Sequence, residues 1–328
     1  MIFELGRTPS GGKAVLSNPP NPHAFISGQS GSGKSHFLKK LLLQTVNQGC
    51  LCIVLDYSSD FSNYVPPDGI PFQRVDATTP FFSLNPLSAA TGQSPDARAQ
   101  QLLAALHSVF RTGPRATVAL RRATAEYLEK SGTPRLTGLW NHISEIEDAG
   151  QGLEAAKEPL ELLTSLVHCG HQPISLNLDS PGLCVVDFTN ICDQNLCKLL
   201  LELTLQAIWM THTPEQPPLI LVLDEAQRLN WGRASMSARI LREGRKFRIS
   251  GWFASQWVHD KETVAALSQA ALQAHFRPDD QNLDKLAKSF CQSKVDLPKY
   301  QDLIRSLRVG QFLWRRTDGK CVLVNVEK

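Results

Sequence analysis

The chain lacks any apolar run long enough to cross a bilayer, and it does not begin with a charged-then-apolar leader. A membrane-spanning or exported protein is therefore not expected; the reading is cytoplasmic, with no direct membrane insertion. No C-x-x-C pair occurs among its eight cysteines. Several stand in apolar runs, as in Leu51-Cys52-Ile53-Val54, so buried reduced thiols are expected in place of a disulfide framework. His168-Cys169-Gly170-His171 has no second ligand pair at zinc-site spacing, which argues against a structural metal. An excess of one charge is missing too: 34 Lys and Arg against 31 Asp and Glu leave a formal net charge of +3. That balance neither demands nor excludes a nucleic-acid partner. What remains is an ordinary globular composition, 328 residues of which 42% are hydrophobic. Such a chain can form one large domain or two small ones.

One stretch stands out from this background. Gly28-Gln29-Ser30-Gly31-Ser32-Gly33-Lys34-Ser35 fits G-x-x-x-x-G-K-[ST], the phosphate-binding P-loop. Its four fixed positions arise by chance in about one chain in a hundred of this length. It follows a short apolar strand, Ala24-Phe25-Ile26. It precedes an amphipathic helix with Phe37, Leu38, Leu41, Leu42 and Val46 on one face, stopping near Gly49. The glycines let successive N–H groups curl round phosphate oxygens, and the helix adds its positive dipole end. In that reading Lys34 reaches the β- and γ-phosphates and the Ser35 hydroxyl takes Mg2+. ATP and Mg2+ are the expected cofactors. A guanine-reading Asn-Lys-x-Asp is absent, which argues against a GTP switch, and so is the Leu-Ser-Gly-Gly signature of an ABC-type ATPase.

The rest of the chain alternates. The first twenty-odd residues read as extended and turn-rich, broken at Gly11-Gly12 and Pro19-Pro20. Leu51 to Leu55 is a continuous apolar run ending at Asp56, as in a parallel-sheet strand buried on both faces. From about residue 88 to 180 the pattern turns helical, with Leu102, Leu103, Leu106 and Phe110, then Leu160, Leu163 and Val167 behind Pro159. This segment carries Arg111, Arg115, Arg121 and Arg122, either a solvated helix face or a surface for DNA or a partner. Strand-like runs resume at Leu183–Phe188 and Leu219–Leu223, either side of a strongly apolar helix from Leu199 to Met210. Asp-Gly within Thr317-Asp318-Gly319, between two apolar runs, signals a hairpin. The sequence thus predicts an α/β fold of the RecA-like P-loop type, with a mainly parallel sheet and helices on both faces. Residues 1–87 and 181–328 would form the core, and 88–180 a mostly helical insertion.

Asp224-Glu225 closes the strand Leu219–Leu223. An acidic residue at the carboxyl end of a buried strand suits the Walker B role: Asp224 holding Mg2+ through water, and Glu225 polarising the attacking water. Downstream, a basic helix containing Arg239, Arg242 and Arg245 leads into an apolar strand ending in Ser255-Gln256.

Together these pieces resemble the HerA–FtsK superfamily of ring-forming ATPases. That superfamily includes DNA translocases and the coupling and secretion ATPases of conjugation-type systems. The matching stretches are G-Q-S-G-S-G-K-S-H at Gly28 to His36, L-V-L-D-E-A-Q-R at Leu221 to Arg228, R-E-G-R-K-F-R-I-S at Arg242 to Ser250, and A-S-Q at Ala254 to Gln256. The resemblance implies that Gln256 is the strand-end glutamine that senses nucleotide. It implies that Arg245 is an arginine finger acting on a neighbouring subunit's ATP, with Arg242 as second choice. The implied activity is ATP hydrolysis by a homo-hexameric ring that translocates or remodels double-stranded DNA, with an accessory nuclease or a membrane complex as possible recruiting partner. Two alternatives stay open: a conjugation- or secretion-type ATPase moving protein, for which Phe82-Ser83-Leu84-Asn85-Pro86-Leu87 is similar to an Asn-Pro-Leu stretch in some members, and a nucleotide-dependent scaffold of a defence complex. Trp257-Val258 stands where the translocases often carry Arg-Pro. Asp56-Tyr57-Ser58-Ser59 stands where relatives often carry Asp-Pro or Gly-Glu.

Overall fold

A computed structural model describes residues 1–19, 21–88, 93–110, 113–146, 157, 159–165, 167–168, 170, 172–232, 235–256, 263, 265, 267–291, 294–316 and 318–327. Arg111, Cys169, His171, Trp257, Val258 and Thr317 lie outside them.

Apolar runs become sheet because both of their faces are covered. Strands β3 (Ala24–Ser27), β4 (Leu51–Asp56), β5 (Phe72–Asp76), β6 (Gly182–Asp187), β7 (Leu219–Leu223), β8 (Ile249–Ser255) and β9 (Leu272–Phe276) form a parallel block in the order β9-β3-β8-β7-β4-β6-β5. Every residue of β4, β7 and β8 is buried. In β4 the period of two splits the run: Leu51, Ile53 and Leu55 join one core, Cys52 and Val54 the other. Helix α1 (Lys34–Val46) covers the second face with fully buried Phe37, Leu38, Leu41 and Leu42, roughly 1.5–3 kcal/mol of burial each. On the first face lie α2 (Pro95–Val109), α3 (Pro114–Lys130) and α4 (Leu136–Ser144), then α5 (Gln194–Thr211) and α6 (Met236–Glu243). Residues of α2 to α4 share one continuous core with β4, β6 and β7.

Beyond β9 the sheet turns antiparallel through β10 (Gln311–Arg315), β11 (Cys321–Asn325), β1 (Ile2–Arg7) and β2 (Lys13–Ser17). The tail is the hairpin that Asp318-Gly319 announced. The extended N-terminal stretch is also a hairpin, β1–β2, closed by the turn in which Thr8 N–H donates to the Gly12 carbonyl. Helices α7 (Asp280–Phe290) and α8 (Leu297–Arg305) pack a small third core with Leu313. Asn85 is a bracket: its amide donates to the Pro134 and Gly170 carbonyls, and its oxygen accepts from Leu87 N–H.

Cys50, Cys52, Cys184 and Cys197 are buried free thiols, Cys291 and Cys321 are half-buried, and Cys192 is exposed. Burial pushes the Cys184 thiol up to about 12 and Cys197 to about 11. Among the described residues no helix is long and apolar enough to cross a membrane.

Candidate nucleotide-binding site

Strand register decides what meets at the carboxyl edge of the sheet. Ser27, the last residue of β3, lies beside Ser255 of β8, and Leu223 of β7 lies beside Phe253 of the same strand. The chain therefore leaves β3 into Gly28 and leaves β7 into Asp224 at the same edge of the sheet, two residues apart along β8, which lies between them. Two inter-strand steps set these exits roughly 10 Å apart, and Gln256 leaves β8 between the two.

The P-loop is tied down on all sides. Gly28 N–H donates to the Ser255 carbonyl (3.2 Å), Gln29 N–H to the Arg277 carbonyl (2.8 Å), and Gly310 N–H to the Ser32 carbonyl (3.0 Å). Ser32 Oγ donates back to the Gln29 carbonyl at 2.7 Å. Gly28 has φ 152°, and a Cβ there would stand 2.6 Å from the Phe276 Cβ. Gly33 has φ 106°, and its Cβ would stand 3.1 Å from the Gly310 nitrogen. Only glycine fits either place. Under the loop, Ser27 Oγ and His275 Nδ1 are hydrogen-bonded at 2.8 Å. Burial lowers the His275 pKa to about 3, so the ring is neutral.

Gly33 is the N-cap of α1, and no side chain caps its first turn. A helix start of this kind offers N–H groups and a positive dipole end to an anion. Lys34 is buried, and its ammonium donates to the carbonyls of Gly28 (2.7 Å) and Gln29 (3.0 Å). Burial lowers its pKa, while Asp224, Glu225 and Asp60 pull the other way. Ser30, Gly31, Gly33, Lys34, Ser35 and His36 form one wall of an open cleft of roughly 530 Å³, within the size range of small-ligand sites (about 300–1,000 Å³). Tyr57, Ser58, Asp60, Glu225, Arg228 and Gln256 form the other.

Asp224 is almost fully buried. Burial pushes its pKa up and the nearby Asp60 carboxyl adds to the rise; the backbone N–H of Glu225, which donates to Asp224 Oδ1, opposes it. Ser35 Oγ donates to Asp60 Oδ2. Hydroxyl and carboxylates make an all-oxygen donor set, which suits a hard cation such as Mg2+, and Mg2+ typically takes one or two carboxylates plus phosphate oxygens and water. Among the described residues no group of three or more His, Cys, Asp or Glu could cage a metal by itself.

Glu225 has left-handed backbone, φ 52°, a conformation that costs of order 1–3 kcal/mol in a non-glycine residue. Its surroundings hold it there. Tyr57 Oη donates to its carbonyl at 2.6 Å, Gln256 Nε2 donates to Oε1 at 3.0 Å, and Gln227 Nε2 donates to Oε2. Ser255 Oγ in turn donates to Gln227 Oε1 at 2.6 Å. The carboxylate is thus gripped by two amides and aimed into the cleft.

Arg245 lies elsewhere. It is exposed in the 3-10 turn Gly244–Phe247 that leads into β8, at the opposite edge of the sheet. Seven residues of strand separate the two edges, roughly 20 Å. Arg239 stacks over Trp209 at 4.8 Å and pairs with Glu243 at 3.6 Å, and Arg248 donates to the Pro214 carbonyl at 2.7 Å. Sequence reasoning gave no role to Tyr57, Asp60, Gln227 or Arg228. Their common signal is position in loops at the carboxyl ends of β4 and β7, and it becomes readable only once strand order is known.

The sequence matches no family model, and no curated protein matches it. Solved structures match over nearly the whole chain. VirB4 of Thermoanaerobacter pseudethanolicus superposes with a TM-score of 0.78 at 17% identity, over 99% of this chain and 96% of that one. The bacterial conjugative coupling protein TrwB superposes with a TM-score of 0.66 at 15% identity, over 93% and 85%. Its complex with ADP and Mg2+ gives 0.64 at 16%, over the same shares. At such identities the likeness is one of fold: the chain has the RecA-like P-loop fold that the resemblance to HerA–FtsK ATPases implies.

Proposed function

We propose that the chain is a Mg2+-dependent ATPase, a subunit of a cytoplasmic homo-hexameric ring that translocates or remodels double-stranded DNA. The observation that carries this reading is the convergence of Lys34, Ser35, Glu225 and Gln256 on one cleft, with Asp224 buried next to Glu225. Residues Gly28 to His36 cradle the phosphates, with the α1 N–H groups and Lys34 facing their charge. Ser35, and Asp224 through water, would hold Mg2+, which would neutralise charge on the phosphates. Glu225 takes a proton from the attacking water. Gln256, hydrogen-bonded to Glu225 and placed beside the P-loop, couples phosphate occupancy to the position of that base. The full-length likeness in fold to a VirB4 and to a conjugative coupling protein supports a motor role. An accessory nuclease or a membrane complex would recruit the ring.

The two acidic residues divide the work. Glu225→Gln should keep Mg-ATP affinity near wild type and lower turnover about 10²–10⁴-fold, the range of general-base catalysis. Asp224→Asn should weaken binding only when Mg2+ is present. Equilibrium binding of an ATP analogue with Mg2+ and with a chelator separates them; equal losses in both variants would contradict the division.

If DNA is the cargo, duplex DNA should raise turnover and its affinity should fall steeply with salt, because phosphate contacts release counterions. Arg115 and Arg122, seven residues apart, share one exposed face of α3. Arg121 pairs with Asp96 at 3.7 Å. Turnover measured with and without duplex DNA tests the assignment. No stimulation by any duplex moves the cargo to protein, and nucleotide binding without turnover moves the role to a scaffold.

A further inference from the structure

We propose that Asp60 is a second carboxylate of the Mg2+ site, acting on the cation and not on the nucleotide; this rests on the ATP-binding reading above. Asp60 belongs to no recognised motif. It lies four residues past the end of β4, in a loop whose backbone is fixed from three directions. Asp56, fully buried, accepts from Ser58 N–H at 3.2 Å and from Phe61 N–H at 3.0 Å. Lys39 Nζ donates to the Asp60 carbonyl at 2.7 Å and lies over the rings of Phe61 (5.0 Å) and Tyr64 (5.1 Å). Arg74 Nη2 donates to the carbonyls of Phe61 and Tyr64, both at 2.7 Å. The side chain of Asp60 is then turned into the cleft.

There its loop touches both residues expected to hold Mg2+. Asp60 accepts the Ser35 hydroxyl, and Ser58, two residues before it, donates its hydroxyl to Asp224 Oδ2 at 3.4 Å. The carboxylate of Asp60 therefore lies directly on the Ser35 hydroxyl, in the cleft that Lys34 and Glu225 also line. A divalent ion beside the Ser35 hydroxyl would be held by that hydroxyl and one or two carboxylates, the usual Mg2+ arrangement beside phosphates. Asp60 carries charge of the same sign as the nucleotide, so it favours the phosphates only through the cation.

This gives two effects of opposite sign, which a merely structural tie between the loop and α1 would not produce. The experiment follows a fluorescent ADP analogue binding to the full chain, first with a chelator and then across a Mg2+ titration. In Asp60→Asn, metal-free affinity should equal or exceed wild type, because one negative charge has left the cleft. The Mg2+ concentration at half-effect should rise about 10–100-fold, the usual cost of removing a group that supports a metal. Asp60→Ser is read in the same way should the Asn variant fail to fold. A Mg2+ midpoint within twofold of wild type overturns the proposal, and so does a metal-free affinity that falls in step with the Mg2+-loaded one. A wild-type chain that binds no nucleotide under either condition overturns the ATP-binding reading itself. Mg2+-tightened binding in wild type that is unaltered in Asp60→Asn overturns the Asp60 assignment alone.

Discussion

Arg245→Ala should lower ATP turnover by about 10³ to 10⁵, the usual worth of an arginine finger, and leave nucleotide binding by the same subunit intact. The fold supplies the reason for both halves. Arg245 stands in the turn before β8, at the sheet edge away from the cleft, so within its own subunit it cannot reach the phosphates. In a ring that edge can face the cleft of a neighbour, where a guanidinium stabilises charge developing on the γ-phosphate. Mixing two inactive variants tests the direction of action. In rings containing Lys34→Ala and Arg245→Ala subunits, some interfaces pair an intact P-loop from one variant with an intact finger from the other. Turnover should return in part if the sites work independently. Strict coordination round the ring would mask that recovery, so a structure with a non-hydrolysable ATP analogue serves as control. Arg245 remote from every phosphate in that structure would contradict the assignment and pass it to Arg242 or Arg239.

Local patterns made much of this molecule legible. The P-loop, α1, β4, β7 and the tail hairpin each announce themselves within a dozen residues, through glycine spacing, an apolar run ending in Asp, or Asp-Gly between apolar stretches. The position of Asp224-Glu225 at the end of β7 was legible for the same reason. What stayed hidden depends on pairing between distant segments. Strand β5 is an edge strand in which Gln73 and Arg74 are exposed, so it carries no continuous apolar signature. Strand β9, Leu272-Gln273-Ala274-His275-Phe276, has no β-branched residue and earns its place by lying between β3 and β10. Strand β1 pairs with β11 through Arg7 and Asn325, near opposite ends of the chain. Asp60 was invisible because nothing in its neighbours says that the loop after β4 lies over Ser35. The insertion of β8 between β3 and β7 brings Gln256 to Glu225, and this order is a property of topology, not of any one segment.

Lys34→Ala should bring ATP hydrolysis down to background. The lysine is the cation that the P-loop itself presents, buried beside Asp224 and Glu225 and bonded to the carbonyls of Gly28 and Gln29. Its removal takes a charge-assisted hydrogen bond from the phosphates in the ground state and a stabilising charge from the transition state. A single oxyanion donor of this kind is worth about 10²–10³ in turnover, and weakened binding adds to the loss. Lys34→Arg should not rescue, because the guanidinium is broader and planar where the loop encloses a compact ammonium. The decisive measurement is steady-state phosphate release from Mg-ATP by the purified chain, wild type beside Lys34→Ala. The account predicts Mg2+-dependent release by the wild type and background release by the variant. Equal release by both, or none by the wild type with Mg2+ and duplex DNA present, would contradict it.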